Sequence, residues 1–247
     1  MNKPRQIPWP KITAEAFAVV ISILLAFGID AWWSNRQEER LADESLAALR
    51  DELSANIDEL QHEREFREAV IASVAELFRI VGTDAPPDEA NIDELLEDIS
   101  WGGRIDASTG ALVSILESGT LASIDDGALK RSVSSLPELY ETTALHERST
   151  TTFLENELLL YINRSGSILQ IYNAGVGQGR PGGGGELAVD EQFPTMGNTK
   201  HSSLLESAEF LGLLAMTQSK HENVLLYYRR LEEAMQSSIT LIDEHLR

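Results

Sequence analysis

Cysteine is absent from the 247 residues, aromatic residues make up only 6% of them, and lysine plus arginine number 20 against 40 aspartates and glutamates. Without cysteine there is no disulfide framework, no thiolate zinc site and no cysteine nucleophile. A formal charge of -20 argues against a nucleic-acid partner, because phosphate backbones are bound by neutralising them with basic side chains. Proline is scarce at 8 residues and absent from 34–81. What is present is a 43% apolar fraction, too high for a disordered acidic chain, so a folded core is expected: one domain, or one domain with an appendage.

The charge is unevenly placed. Up to Trp33 the ionisable side chains are Lys3, Arg5, Lys11, Glu15 and Asp30, leaving 17 basic and 38 acidic groups, or -21, in residues 34–247. Residues 12–33 hold an uninterrupted apolar stretch, AFAVVISILLAFG at 16–28, closed by Trp32 and Trp33. About 20 residues at 1.5 Å each are needed to span a bilayer. This segment is long enough if Glu15 and Asp30 sit near the two interfaces. A cleaved signal peptide and a buried core helix are the competing readings. Ala26-Phe27-Gly28 imitates a small-x-small cleavage site, but it lies inside the apolar stretch with no polar region before it. The two tryptophans act as membrane-interface anchors, an aromatic belt. The expectation is a cytoplasmic tip at 1–11, a transmembrane helix at 12–33 and an extracytoplasmic domain at 34–247. The basic tip orients the N-terminus to the cytoplasm, at a bacterial inner membrane, with the C-terminal domain periplasmic or extracellular.

At 100° per residue, Glu15, Ala18, Ser22, Ala26, Ile29 and Trp33 fall near one line of the helix, with Phe17, Val20, Leu24 and Phe27 opposite. Small residues four apart let helix backbones approach, and hydroxyl or carboxyl groups can bond across the contact. Glu15, Ala18, Ser22, Ala26 and Asp30 are the candidate interface to a second copy or to another membrane protein. Glu15 and Asp30 also read as snorkelling edge carboxylates, Asp30 above all, or as members of a proton pathway, against which their distance from mid-span counts.

Beyond Trp33 the chain reads as all-α. Leu46, Leu49, Leu53, Ile57 and Leu60, then Val70, Val74 and Leu77, recur at three and four residues over 34–81 and predict one rod of about 70 Å. Gly82 and Pro86-Pro87 stop it. Short helices are expected over 88–99, over 110–117 with Ser108 as cap and Gly119 at a left-handed exit, and from Asp125 or Asp126 to about Pro137. A second long helix is predicted over 138–172, with a less regular apolar pattern. A flexible glycine-rich loop occupies 173–203, where residues 175–185 hold seven of the 17 glycines. Gly177, Gly179 and Gly182 match G-x-G-x-x-G without the flanking strand and helix a dinucleotide site needs. The last helix, 207–246, carries a seam of Leu211, Leu214, Gln218, His221, Leu225, Tyr228, Leu231, Met235, Ile239, Ile242 and Leu246 and can pack antiparallel along the first rod. Gln218 and His221 form its buried polar part. An internal hydrogen bond is the ordinary role for such a pair and pH sensing the alternative.

Catalytic patterns fail on inspection. His62-Glu63, His146-Glu147 and His221-Glu222 begin like a zinc-protease helix, but Phe66, Thr150 and Leu225 stand where the second histidine belongs. There is no G-x-S-x-G elbow and no P-loop, and no cofactor or metal site is expected.

The segments AFAVVISILLAFGIDAWWSNRQEER and LADESLAALRDEL, with ALVSILESGTLASIDDGALKRSV further on, resemble a widespread bacterial family of unknown function. Its members carry one N-terminal membrane helix and an all-helical outer domain. The resemblance implies that architecture, supplies no catalytic residue, and leaves the glycine-rich loop as an insertion. The expected function is a non-catalytic, membrane-anchored structural or interaction subunit whose partners are the lipid bilayer and a second membrane helix. The alternatives are an extracytoplasmic sensor or ligand-binding module working through a partner, and an accessory subunit of an ion-driven complex.

Overall fold

A computed structural model of the chain describes the backbone of residues 9–83, 88–166, 168, 171 and 201–247, and the side chains of these except 9–16, 18–20, 89–90 and 202–203. The described residues are helical, with no strand among them. Helix α1 runs Trp9–Val81; α2 (Glu89–Asp98), α3 (Gly110–Glu117) and α4 (Thr120–Ser123) are short; α5 (Gly127–Phe153) passes through a π segment (Leu154–Leu158) into α6 (Leu159–Arg164); α7 (Ser202–Leu205) precedes α8 (Ala208–His245).

The long helices form the bundle. Arg50 bridges Asp243 at 3.0 Å and Arg64 bridges Glu232 at 2.9 Å, so α8 runs antiparallel to α1. Ser132 meets Ser238 and Lys220 meets Ser149, which sets α8 antiparallel to α5 as well. Helix α8 therefore lies between two parallel partners, and α2 to α4 pack along α1. The buried positions of α1, from Ala42 through Leu46, Leu49, Leu53, Asn56, Leu60, Glu63, Arg67, Val70 and Val74 to Leu77, alternate four and three residues, the spacing of a coiled-coil seam, with Ser73 buried beside it.

Local chemistry places the ends. Asp126 caps α5 by accepting from the amides of Ala128 at 2.7 Å and Leu129 at 3.1 Å, and Ser207 caps α8 by accepting from Phe210. Gly119 takes the left-handed φ of 75° that separates α3 from α4.

Four expectations are corrected. Pro137 does not end its helix: it lies exposed inside α5, which continues to Phe153 and buries Leu129, Val133 and Leu136 before the proline and Thr143, Glu147 and Thr150 after it, at the loss of one helical hydrogen bond. The helix expected to reach residue 172 stops at Arg164, where Gly166 turns to φ 82°. Ser108 is not the cap of α3, whose N-cap position is Thr109 without a side-chain bond. Glu52, from α1, fills that role, accepting from the amides of Ala111 at 2.7 Å and Leu112 at 3.0 Å. The fourth correction is the register of α8, described below. Residues 173–200 of the glycine-rich loop lie outside the described residues.

The core has two apolar halves. One gathers Leu46 to Leu60 of α1 with α3, the first half of α5 and the second half of α8; the other gathers Val70 to Leu77 with α2, the π segment, α6, α7 and the start of α8. Full burial of each such side chain stabilises by about 1.5–3 kcal/mol. Between the halves the seam turns polar.

At the other end α1 leaves the bundle. Residues 21–41 are exposed, a projection of about 30 Å. Among the described residues no helix is long and apolar enough to cross a membrane. The side chains of Glu15 and Ala18, with most of the first half of 12–33, lie outside the described residues.

Candidate functional site: a buried polar layer

Glu63 and Arg67 occupy consecutive seam positions of α1, where the periodicity demands apolar residues. Gathered around them are Glu147 of α5 and His221 and Tyr228 of α8, and the buried Thr143, Thr150 and Thr217 interrupt the apolar positions of the same two helices. The threonines cost little there, since each hydroxyl donates to the carbonyl four residues back in its own helix.

Arg67 is the hub. Its Nε donates to Tyr228 Oη at 3.2 Å, one terminal nitrogen lies 3.4 Å from His221 Nδ1, and the other donates to the Gly103 carbonyl. Tyr228 Oη passes its proton-donating bond on to Glu147 Oε1 at 2.5 Å, and the Ile105 amide donates to that same oxygen at 3.0 Å. A planar guanidinium with several fixed donors suits such a junction, where a lysine would not.

Gly103 and Ile105 belong to a strap, residues 101–109, without regular structure. The strap has its polar backbone satisfied by side chains of both parallel helices. Asn56 pairs with both the amide and the carbonyl of Ser108, at 2.9 and 2.7 Å, and Thr151 donates to the Gly102 carbonyl at 3.4 Å. Asn56 also donates to Tyr140 Oη, whose ionisation burial pushes up to about 12. A Cβ at 103 would lie 2.1 Å from Glu63 Oε2, so any larger residue there displaces that carboxyl group.

Two atoms of the layer, Glu63 Oε2 and His221 Nε2, have no hydrogen-bond partner. Burial raises Glu63 to about 7 despite the nearby Arg67, and burial followed by Arg67 lowers His221 to about 3. His221 is thus a neutral side chain around neutral pH, while Glu63 stands between its neutral and charged forms there. Burial also drives Tyr228 upward, keeping it a donor.

Of the residues singled out in the sequence, His221 lies in this layer. Gln218 does not. It is half-buried and donates to Glu222 at 2.8 Å on its own helix, while Thr217 takes the seam position. The buried set of α8 is Phe210, Leu214, Thr217, His221, Val224, Tyr228, Leu231, Met235, Ser238 and Ile242. Choosing the more apolar neighbour, Leu211, Leu225 and Ile239, displaces the seam by one residue at those steps, while Leu214, His221, Tyr228, Leu231, Met235 and Ile242 are buried as expected and Leu246 is exposed. Leu211, Leu225 and Ile239 are half-buried flanks, wetted on one side because α8 contacts helices on two sides. Arg67, Glu63, Glu147, Tyr228 and Gly103 were not singled out as a site. Their signal was the gap in the apolar pattern between Leu60 and Val70.

Ser22, Ala26 and Asp30 are exposed on the projecting part of α1, as are Trp32 and Trp33, whose ring centroids lie 6.5 Å apart. No group of three or more metal-ligating side chains occurs among the described residues. Compared with protein-family models, curated proteins and solved structures, the chain matches none.

Proposed function

We propose that this protein is a single-pass, membrane-anchored helical bundle that serves as a non-catalytic structural or interaction subunit of a membrane assembly. The observation that carries this reading is the uncovered apolar end of α1. Phe17, Leu24, Leu25, Phe27, Ile29, Trp32 and Trp33 are each between 62% and 68% exposed, and no other described element packs on them. An exposed apolar stretch of that size needs a cover, and its length in the sequence matches a bilayer. The basic residues Lys3, Arg5 and Lys11 support a cytoplasmic tip, with the bundle at the inner membrane's periplasmic or outer side.

Within the bilayer, Glu15, Ala18, Ser22, Ala26 and Asp30 supply the face that meets a second copy or another membrane protein. Fractionation tests the anchor: the full chain should stay with membranes through alkaline carbonate and high salt, and extraction by either would refute it. Leucine at Ala18, Ser22 and Ala26 together should reduce the detergent-solubilised mass; an unchanged mass refutes the paired face while leaving the anchor intact.

A further inference from the structure

Glu63 and Arg67 stand four residues apart on α1 with the acid N-terminal to the base, the order that favours an intrahelical ion pair. In the structure the guanidinium turns the other way, to the Gly103 carbonyl and Tyr228 Oη, and Glu63 Oε2 is left buried without a hydrogen-bond partner against the strap. Besides Tyr228, Arg67 therefore has two competing acceptors, the strap carbonyl it holds and the carboxyl group one helical turn back. Which one it serves depends on whether that carboxyl carries a charge.

We propose that the strap is a proton-controlled latch: with Glu63 protonated, Arg67 holds the Gly103 carbonyl; when Glu63 ionises, Arg67 swings back to the carboxylate and the 102–105 end of the strap lifts. Burial holds the Glu63 carboxyl at about 7, near neutral pH. Facing it are Arg67, Glu59 and His62 from α1 and Glu147 from α5. Beyond Arg67 stand His221 and Tyr228 from α8, and the strap brings backbone, its charged Arg104 and Asp106 being exposed. The acids and burial oppose ionisation, and Arg67 is the cation that rewards it. The far end of the strap has a separate hold, since Asn56 grips both polar groups of Ser108. The latch thus opens at Gly103 and pivots near Ser108. Its place inside the bundle makes it independent of whether α1 crosses a bilayer.

Hydrogen exchange in the full-length chain in detergent micelles, between pH 5 and 9, reads the latch directly. One proton linked to opening makes the protection of the Ile105 amide, after correction for the intrinsic rate, fall by up to tenfold per pH unit as pH rises toward the Glu63 midpoint and level off above it, while Ser108 keeps its protection. Glu63→Gln should hold Ile105 protected at every pH, and His62→Gln should leave the response in place. Carboxyl carbon resonances of the native chain give a second measurement free of variants: Glu63 should titrate with the midpoint of the Ile105 response. Protection of Ile105 that is flat in the native chain, that falls equally in Glu63→Gln, or that has a different midpoint overturns the latch.

Discussion

Among the described residues Arg67 is the largest fully buried side chain, and it touches α8 and the strap at once. Removing it leaves the Gly103 carbonyl and the Tyr228 hydroxyl short of a partner in a site closed to water. Arg67→Ala should therefore lower stability by about 3–5 kcal/mol, read from urea unfolding followed by circular dichroism. A loss below about 1 kcal/mol would mean that water enters the layer. The two shifted groups give a pH signature. Glu63 has its folded value raised from 4.5 to about 7, so between those values the native state holds more protons and its contribution to stability falls as pH rises. His221 has its folded value lowered from 6.5 to about 3, so its contribution falls as pH drops through that window. Between about 4.5 and 6.5 the two slopes oppose each other. Glu63→Gln removes one of them, and its stability relative to the parent chain should climb from pH 4.5 to 7 and then level off. A pH-independent difference would refute the shift. The one histidine singled out in the sequence stood on a seam position common to both registers; the acids and the arginine around it come from two other helices, α1 and α5, and linear spacing cannot bring them together.

At the scale of elements, α3 borrows its cap. Glu52 places a carboxylate on amides at the positive end of that helix, which satisfies donors and suits the dipole. Glu52→Ala should cost about 1 kcal/mol of unfolding free energy and Glu52→Gln less, since the amide oxygen still accepts one bond. The π segment explains why the apolar pattern of the second long helix reads as irregular. Its buried positions alternate as Thr143, Glu147, Thr150 and Leu154, then step by fours to Leu158 and Ile162, the mark of one extra residue in the helix. Deleting the exposed Asn156 should restore the three-and-four alternation and leave thermal unfolding within a few degrees of the parent. Deleting Asn223 in the middle of α8 should abolish cooperative unfolding, because every later seam residue would turn by 100°. Helix limits set by local chemistry, such as the Asp126 cap, the Gly119 exit and the start of the last helix at Ser207, were legible from residue type. The Pro137 stop was misread because packing of α5 on both sides of the proline outweighs the one hydrogen bond it removes.

The whole molecule divides at the point where α1 enters the bundle. Ala42 is the first buried residue among the described side chains, so no core contact depends on residues 21–41. A chain lacking residues 1–33 should keep the urea midpoint of the full protein while losing helical signal and membrane association; a large drop in midpoint would show that the projecting helix stabilises the fold. The sequence by itself determined the all-α class, the long first rod, the antiparallel last helix and the separation of a basic tip and apolar stretch from an acidic remainder. These follow from composition and from periodicity along one chain. Only the tertiary structure decided that α8 lies between two parallel helices, that its seam runs through Thr217 and Val224, and that Glu63 and Arg67 meet a strap inserted beside them. A helix with partners on two sides buries the line midway between them, which need not be its most apolar line. A buried charge becomes tolerable only once the groups that satisfy it arrive from elsewhere in the chain.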